Sequence, residues 1–562
     1  MTRQRRTGGT ARAVGWCLLS GALGWATPAR THTPVTDHDP DIALGAQLYR
    51  DGLGADRRPL QADRVSGVSV QGRQAACIQC HRASGMGGAE GSTAVPPIAG
   101  SVLFAPGQPA HQRTARVFAR LARQTPASES RPAYALDTLQ RALNEGIAAN
   151  GQAMDPLMPR YRLTEDEVRA IAAYTTTMQV GTAPGYAEHT LHLATIETSD
   201  NLPAVRQAGP ALLARCLAER SPPQADDPGG PPAWTLHRWT LGPDPLQWSN
   251  ELASLQHDQP VFAIVSGTTG PTGRGPWQAV QQHCEREALP CVLPNTAAVD
   301  DLQPSDWTFH FSRGISLDAA AMASALTEQA PADGWRAVHL VVDPQDEAAS
   351  LGAQRLLDHL ASGPTAGVLV VVHRPDAADT AVWLSRLGAR DALALWLPAP
   401  ALQDWTAQHT VPASGPRALV SGELIELDPQ SVSPAWRGVT QVTWPYDPLE
   451  RHLPRVARNV GQWLDTHQLP LAETPALIRL QGHTYSACEV AANALRRMGR
   501  RVSRGYLLEL LEGAEEAATA TAYPRFTLGP GRRHGSQGTW LMRFGNPPQA
   551  RLQPVGDWFV PE

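Results

Sequence analysis

The sequence predicts a multidomain protein in which a small helical unit precedes a two-lobed α/β unit. Its length of 562 residues allows three or four compact units at roughly 150 residues each. A single short motif of cysteines and a histidine lies among amphipathic helical segments in the first third of the chain. From about residue 189 onwards, short apolar runs alternate with helical stretches, which is typical of parallel sheets.

Composition and charge exclude several classes of protein. Apolar residues make up 42% of the chain, which is too many for a wholly disordered protein. The net charge of −5 argues against a general nucleic-acid-binding protein, so we expect no nucleic-acid partner. Seven cysteines are too few for a disulfide scaffold of this length.

The amino terminus predicts an export signal over residues 1–29. Three arginines in the first six residues precede an apolar run from about Ala13 to Ala26, and small residues follow it. The run has about 14 residues, which is shorter than the ~20 needed to span a bilayer. We therefore expect a periplasmic protein, with an uncleaved membrane anchor as the alternative.

The segment Cys77-Ile78-Gln79-Cys80-His81 has the C-x-x-C-H spacing of a haem c attachment site. Two thiols at this spacing add to the two vinyl groups of one haem, and the adjacent imidazole ligates the iron. The alternatives are a redox-active C-x-x-C pair and half of a zinc site. No second pair lies nearby, and a Gly-rich loop precedes the motif where a thioredoxin-type pair would follow a strand. The sequence therefore predicts one covalent haem c on Cys77 and Cys80, with His81 as the proximal iron ligand.

With these motifs in place, residues 42–180 resemble a class I c-type cytochrome. An amphipathic segment at Ile42–Arg50 precedes the motif, Val95-Pro96-Pro97-Ile98 follows it, and Met158-Pro159-Arg160-Tyr161 comes later. The resemblance implies an all-α domain with an insertion at about 100–135. It also implies that one of the two prolines offers its carbonyl to the proximal imidazole, and that Met158 is the distal iron ligand. Met154, four residues earlier, is the competing distal ligand.

The last helix of this domain is predicted from its capping signal. Thr164 and Glu167 form an S/T-x-x-E capping box at its start. Ile171 and Tyr174 then share one helical face and are expected to meet Gly45 and Tyr49 of the first helix. With both axial positions filled, we expect an electron carrier and not a haem enzyme.

Residues 181–188 are predicted as a short linker, and residues 189–562 as two parallel sheets of four or five strands each. Helices are expected at Trp277–Ala288, Leu317–Thr327 and Ala348–Ala361. The predicted strands are Leu191–Ile196, Val261–Ser266, Pro290–Pro294, Trp307–Phe311, Val338–Asp343, Val368–His373, Ala392–Leu397 and Ala418–Ser421.

This order of elements resembles the type I periplasmic binding proteins of the branched-chain amino-acid receptor group. The resemblance is carried by the strand Leu191–Ile196, the strand-turn Phe262–Gly267, the segment Leu293–Thr296 and the terminal strand Thr539–Phe544. It implies two lobes that close on a small polar ligand at the carboxyl ends of strands. The candidate contacts are Ser266, Thr268, Asn295 and Thr296 from the first lobe and Asp343 from the second. The alternative is that these are turn and cap residues only.

The function expected from both resemblances is single-electron transfer by a periplasmic mono-haem cytochrome with an attached solute-binding-like domain. Its partner is expected to be a periplasmic redox protein, such as a quinoprotein dehydrogenase or a terminal oxidase. The alternative is a ligand sensor whose haem reports or modulates redox state. Cys284 and Cys291 are close enough in sequence to form a disulfide or to stay free, and Cys216 with Cys488 is a second possible pair.

Overall fold

A computed structural model describes residues 39–64, 67–91, 93–107, 131–178, 180–223, 230–412, 415–514, 520–545 and 551–561. The predicted export signal at 1–29 lies outside these residues, and so does most of the predicted insertion at 100–135. Among the described residues, no helix has the length and apolar character needed to cross a membrane.

The amino-terminal domain is built on two helices that cross closely. α1 (Pro40–Asp51) meets the domain's last helix at Gly45, where a Cβ atom would come within 2.0 Å of the Ala170 carbonyl oxygen. The rings of Tyr49 and Tyr174 pack beside this crossing with their centroids 5.3 Å apart, as the sequence predicted. The last helix is α5 (Glu165–Thr176). Between the two lie the described helices α2 (Ile78–His81), α3 (Gly100–Leu103) and α4 (Leu136–Glu145).

Helix α5 begins at the predicted capping box. The backbone N–H of Glu167 donates to Thr164 Oγ1 at 3.3 Å, and the backbone N–H of Thr164 donates to Glu167 Oε2 at 3.0 Å. These two bonds satisfy backbone donors that the first helical turn leaves unpaired. The cap therefore fixes where α5 starts and which face it turns to α1.

The prediction of an all-α domain is wrong in one respect, because the domain also contains two small antiparallel sheets. β1 (Gln61–Asp63) pairs with β2 (Ser69–Gln71) on one side and with β5 (Arg160–Tyr161) on the other. β3 (Gly88–Glu90) pairs with β4 (Thr93–Val95) directly after the C-x-x-C-H segment. Strands of two or three residues are too short to show the period-2 alternation by which strands are recognised in sequence.

The first lobe of the α/β unit is a seven-stranded, mostly parallel sheet. The strands are β6 (Tyr186–Ala187), β7 (Thr190–Thr198), β8 (Ala233–Leu241), β9 (Ala263–Val265), β10 (Cys291–Val292), β11 (Thr308–Ser312) and β17 (His534–Ser536). Their spatial order is β17-β11-β10-β9-β7-β6, and β8 also pairs with β7. Its helices are α6 (Pro203–Arg206), which continues through a π-helical turn, α7 (Leu212–Arg220), α8 (Trp248–Asp258) and α9 (Gln278–Arg286). Residues 186–187 of the predicted linker therefore belong to the sheet as β6.

The second lobe is another seven-stranded sheet. Its strands are β12 (Ala337–Val342), β13 (Leu369–His373), β14 (Asp391–Trp396), β15 (Arg417–Ser421), β16 (Thr440–Trp444), β18 (Trp540–Phe544) and β19 (Leu552–Pro554). Their spatial order is β13-β12-β14-β15-β16-β18-β19. Its helices are α10 (Gly314–Glu328), α11 (Glu347–Ser362), α12 (Thr380–Leu384) and α13 (Ala399–Gln408). All eight strands predicted between 191 and 421 are present, but each sheet has more strands than the expected four or five.

The chain passes between the lobes three times. It crosses from β11 to α10, returns after β16 to three helices packed on the first lobe, and crosses again from β17 to β18. The three returning helices are α14 (Leu449–Thr466), α15 (Pro475–Met498) and α16 (Arg504–Glu512). This arrangement places the carboxyl ends of strands from both sheets at one cleft.

Both possible disulfides are formed. Cys216 on α7 is bonded to Cys488 on α15, across a sequence separation of 272 residues. Cys284 on α9 is bonded to Cys291 on β10, seven residues away. The first bond fixes α15 to the first lobe, and the second closes a short loop within it.

Candidate functional site

The C-x-x-C-H segment places two free thiols on one short helical turn. Cys77 is buried and Cys80 is half-buried, and neither forms a disulfide, unlike the other described cysteines. Burial raises the pKa of Cys77 to about 12 and that of Cys80 to about 11, so both sulfurs carry their protons. Tyr161, directly after the Met-Pro-Arg segment, donates from its hydroxyl to the Ala75 carbonyl at 3.0 Å and so fixes the start of this turn.

The imidazole of His81 is oriented by a backbone carbonyl. Its Nδ1–H donates to the Pro96 carbonyl oxygen at 3.0 Å, so Pro96 and not Pro97 is the orienting proline. Burial lowers the pKa of His81, so the ring is neutral and Nε2 keeps its lone pair. A neutral histidine whose other nitrogen is hydrogen-bonded is the form in which histidine ligates a metal. Two free thiols beside it complete the donor set that a covalent haem requires.

The loop after the motif is shaped by Gly87, which brings Pro96 back to the histidine. Gly87 has a φ of +69°, and a Cβ atom there would lie 2.2 Å from the Val95 carbonyl oxygen. Its backbone N–H donates to the His81 carbonyl at 3.1 Å. A larger residue at this position would separate the two chain segments that set the imidazole's orientation.

Both candidate distal methionines lie half-buried in the segment before β5. Met158 packs against the domain's apolar core. The guanidinium of Arg160 donates to the carbonyl oxygens of both Met158 and Met154, the latter at 3.3 Å. This shared hydrogen bonding holds the two methionines on one loop, and the assignment of Met158 stays a prediction.

A contact that the sequence did not predict joins the haem-motif loop to the α/β unit. The carboxylate of Glu509 on α16 accepts the backbone N–H of Ser84 at 2.7 Å and its hydroxyl at 2.5 Å. Ser84 is three residues after His81 in sequence and is buried. The loop that follows the motif is therefore held by a helix of the other domain.

The four first-lobe candidates lie together at the carboxyl ends of β9 and β10. Asn295 donates from its side-chain amide to Ser266 Oγ at 3.1 Å, and Thr268 donates to Asn201 Oδ1 at 3.1 Å. The Thr296 hydroxyl accepts the backbone N–H of Ala298 at 3.1 Å. All four are buried, and Ser266 and Thr268 use their hydroxyls within the lobe.

A small polar cavity lies beside these residues, within the first lobe and the segments packed on it. It has room for about one water molecule. Asn295 and Thr296 line it, whereas Ser266, Thr268 and Asp343 do not. Asp343 instead accepts the backbone N–H of Gln345 at 3.0 Å in the turn before α11. The other lining residues are Arg274, Pro294, Val299, His310, Phe311, Ser312, Arg479, His483 and Tyr523.

A buried ion pair joins the two lobes at this cavity. Arg274, from the Gly-rich loop after β9, pairs with Glu423, which follows β15; their side chains are 4% and 0% exposed. Tyr446 and Tyr523 donate to the Glu423 carboxylate at 2.6 and 2.8 Å. Burial alone would raise the pKa of Glu423, but Arg274 and the two tyrosines lower it below its ordinary value.

Sequence reasoning missed the residues of this ion pair. Glu423 and Tyr446 both lie just beyond the carboxyl ends of strands, β15 and β16, which is where ligand-binding groups are expected in α/β sheets. That rule, applied to the later strands, would have found both. Arg274 gave no signal of its own, because it sits in a loop whose glycines and prolines predict only turns.

The fold and the two sites define a class of protein in which a C-x-x-C-H domain is joined to a two-lobed α/β unit. Residues 71–179 match the family model of cytochrome c. No curated protein matches the chain. The chain therefore contains a cytochrome c domain, at the position that the motif predicted.

Solved structures similar to the chain include several solute-binding proteins. A leucine binding protein from Thermotoga maritima MSB8 is 16% identical, with 66% of this chain and 99% of that chain covered and a TM-score of 0.45. A possible leucine/isoleucine/valine-binding protein from Rhodopirellula baltica SH 1 is 14% identical, with coverage of 65% and 96% and a TM-score of 0.46. A branched-chain amino acid transporter substrate binding protein from Streptococcus pneumoniae, in complex with isoleucine, is 12% identical, with coverage of 66% and 99% and a TM-score of 0.42.

Proposed function

We propose that the protein is a periplasmic mono-haem c-type cytochrome that transfers single electrons, and that its α/β unit binds a small polar ligand or docks a partner. The observation that carries the proposal is the donor set at the motif, where Cys77 and Cys80 are free thiols and Pro96 orients His81. The sequence contains one C-x-x-C-H segment, which supports a single covalent haem.

Each residue of the site has a defined task in this proposal. Cys77 and Cys80 would hold the porphyrin through their thiols, and His81 and Met158 would ligate its iron. Haem held in this way supplies one-electron redox chemistry at its iron. If His81 and Met158 both ligated the iron, oxygen and peroxide would find no open position there, and the protein would carry electrons and would not act as an enzyme.

The proposed location rests on two observations. The arginines and apolar run near the amino terminus predict an export signal at residues 1–29, which would direct the chain out of the cytoplasm. Two disulfides, Cys216–Cys488 and Cys284–Cys291, suit an oxidising compartment. The redox partner is then another periplasmic protein, a quinoprotein dehydrogenase or a terminal oxidase. Capture from a periplasmic extract, followed by reduction assays with each captured dehydrogenase, tests this partner.

Covalent attachment is tested on the full chain expressed together with a cytochrome c maturation apparatus. Acidic acetone extracts haem that is held by coordination alone, whereas thioether-bound haem stays with the protein. We expect the colour to stay with the protein and the Cys77→Ala/Cys80→Ala variant to lose it. Extraction of the colour from the unaltered protein would refute the proposal.

The distal ligand is tested with a matched pair of variants on one loop. We expect Met158→Ala to abolish the methionine-to-iron charge-transfer band of the oxidised protein and to lower the midpoint potential, because methionine ligation raises it. The control Met154→Ala lies on the same loop, has similar burial and shares the Arg160 contact. If Met154→Ala abolishes the band instead, the assignment is reversed.

A second candidate function is redox-coupled sensing, and the contact between Ser84 and Glu509 favours it. This contact ties the loop after the haem motif to the first lobe of the α/β unit. Ligand binding between the lobes would then alter the midpoint potential. The test is a redox titration with and without amino acids and short carboxylic acids, and an unchanged potential with a bound ligand would exclude sensing.

A further inference from the structure

A carboxylate of the α/β unit lies against the loop that follows the haem motif. Glu509 on α16 is half-buried and accepts the backbone N–H of Ser84 at 2.7 Å and the Ser84 hydroxyl at 2.5 Å. Both donors belong to Ser84, which is neutral, so these bonds leave the negative charge in place. Arg82 is the nearby cation that acts on Glu509, and it is exposed. Solvent screens an exposed charge more strongly than a half-buried one.

The loop that Glu509 contacts is part of the support of the proximal histidine. The backbone N–H of Met86 donates to Ser84 Oγ at 3.1 Å. The backbone N–H of Ile98 donates to the Gly85 carbonyl at 2.7 Å, which ties the loop to the proline segment that orients the imidazole. The carboxylate of Glu509 is therefore held at a fixed place beside the haem site.

The charge of Glu509 also acts on a residue beside the first cysteine of the motif. Tyr49 and Cys77 belong to one buried apolar cluster, and the Tyr49 hydroxyl donates to the Arg82 carbonyl at 2.6 Å. Burial raises the pKa of Tyr49, and nearby acidic groups, Glu509 among them, raise it further. We therefore expect the same charge to act on a haem bound at Cys77.

Helix α16 is anchored on both sides of this contact. Arg504 on the same helix donates to the backbone carbonyl oxygens of Val261 and Phe262 at 2.6 and 3.1 Å. Gly181, just after the cytochrome domain, donates from its backbone N–H to the Val502 carbonyl at 2.7 Å. A charge that is fixed in advance stabilises one state over another without having to reorganise.

We propose that Glu509 lowers the midpoint potential of the haem through its negative charge, which Ser84 holds beside the motif. This inference rests on the proposed function, since it assumes a haem bound at Cys77 and Cys80. Oxidised iron carries one more positive charge than reduced iron, so a fixed negative charge stabilises the oxidised form. Hydrogen bonding and charge around a haem are among the means by which a protein sets its potential. The α/β unit thus takes part in electron transfer by setting the potential of the domain attached to it.

The test is a spectroelectrochemical redox titration of the full haem-loaded protein. Because burial raises the pKa of Glu509, the titration is made at pH 8, far above the ~4.3 of a free glutamate carboxyl. Glu509→Gln keeps the shape of the side chain and removes its charge. We expect this variant to favour the reduced form by threefold or more, an upward shift of about 28 mV at 59 mV per tenfold for one electron. The methionine-to-iron charge-transfer band should be unchanged.

Two further variants separate charge from packing. Glu509→Asp keeps the charge on a side chain one carbon shorter, so it should leave the potential closer to that of the unaltered protein than Glu509→Gln does. A role limited to packing would instead give the shorter aspartate the larger effect. The control Asp404→Asn removes an exposed acid of α13 in the second lobe and should leave the potential unaltered.

Each result separates this inference from the function on which it rests. If Glu509→Gln leaves the potential unchanged or lowers it, or if Glu509→Asp raises it as much, the inference is wrong and the haem assignment stands. Loss of the charge-transfer band in Glu509→Gln would also overturn the inference, because the contact would then serve iron ligation and not charge. If the unaltered protein carries no haem, the inference fails together with the proposed function.

Discussion

Replacing Glu423 with glutamine tests whether the lobes are closed on each other in solution. The substitution removes the negative charge that pairs with Arg274 and keeps the size of the side chain. Because both partners are buried, at 4% and 0% exposure, the guanidinium is left without a counter-charge inside the protein. Breaking a buried pair by removing one partner costs about 3–5 kcal/mol. We expect the free energy of unfolding of the α/β unit to fall by that amount.

The assay can follow the α/β unit alone. No tryptophan lies between residues 42 and 180, so tryptophan fluorescence during guanidinium chloride denaturation reports on the α/β unit. The double variant Arg274→Met/Glu423→Leu should recover most of the loss, since well-packed apolar residues replace buried ion pairs at little cost. The control Asp376→Asn removes the acid of the exposed pair with Arg374 and should cost at most about 1 kcal/mol.

The refuting result is a small loss for Glu423→Gln. If it costs less than about 1 kcal/mol, as for an exposed pair, then water reaches Arg274 and the lobes are apart in solution. The same conclusion would follow if the double variant were as unstable as the single one. Small-angle scattering gives an independent reading, because separated lobes increase the radius of gyration.

Three further predictions concern the packing, the disulfides and a buried acid. Gly45→Ala should lower the free energy of unfolding of the cytochrome domain by about 1–3 kcal/mol, measured through haem absorbance during denaturation. The control Gly461→Ala adds a Cβ atom with no other atom near it and should not change the stability. Each disulfide stabilises the protein by restricting the unfolded chain, and the restriction grows with the length of the closed loop. In denaturant titrations, Cys488→Ser should therefore lower the free energy of unfolding by ~6 kcal/mol and Cys284→Ser by ~2 kcal/mol. Equal losses for the two variants would contradict this reasoning. Burial and the nearby Glu423 charge raise the pKa of Asp318 to about 7, so its folded form binds a proton that the unfolded form releases near pH 4. Stability should therefore fall from about pH 4 to pH 7 by up to about 4 kcal/mol, and Asp318→Asn should flatten that profile.

The sequence predicted those elements of the fold that have a local signal, either an alternation of apolar strands with helices or a helix cap. The eight strands between 191 and 421 were found because each is a short apolar run next to a helical stretch. Thr164 and Glu167 marked the start of α5 through a local rule. β8 and β16 were missed, since polar residues such as Thr235, Arg238 and Gln441 interrupt their apolar runs. The short sheets of the cytochrome domain depend on pairing between distant residues, which no local pattern records.

The two sites differed in how much of them the sequence could predict. The C-x-x-C-H segment is contiguous, so the sequence alone predicts Cys77, Cys80 and His81 as the residues of the haem site, and the structure added the choice of Pro96. The small polar cavity assembles residues that are far apart in sequence, such as Asn295 after β10 and Arg479 on α15. Of the five candidates, Asn295 and Thr296 line the cavity, because strand-end positions give the correct edge of the sheet but not the direction of each side chain.

The arrangement of the domains bears on whether ligand and haem communicate. Glu509 on α16 holds the loop after the haem motif, and Arg504 on the same helix donates to the backbone carbonyl oxygens of Val261 and Phe262 just before β9. The haem-bearing domain is thus attached to the first lobe, at the strand that leads to the loop of Arg274. Closure of the second lobe would leave these contacts unchanged. A chain of contacts between the two domains does not by itself show that binding in one alters the other. A ligand held at the first lobe would therefore reach the cytochrome domain through these contacts, which do not depend on closure of the second lobe.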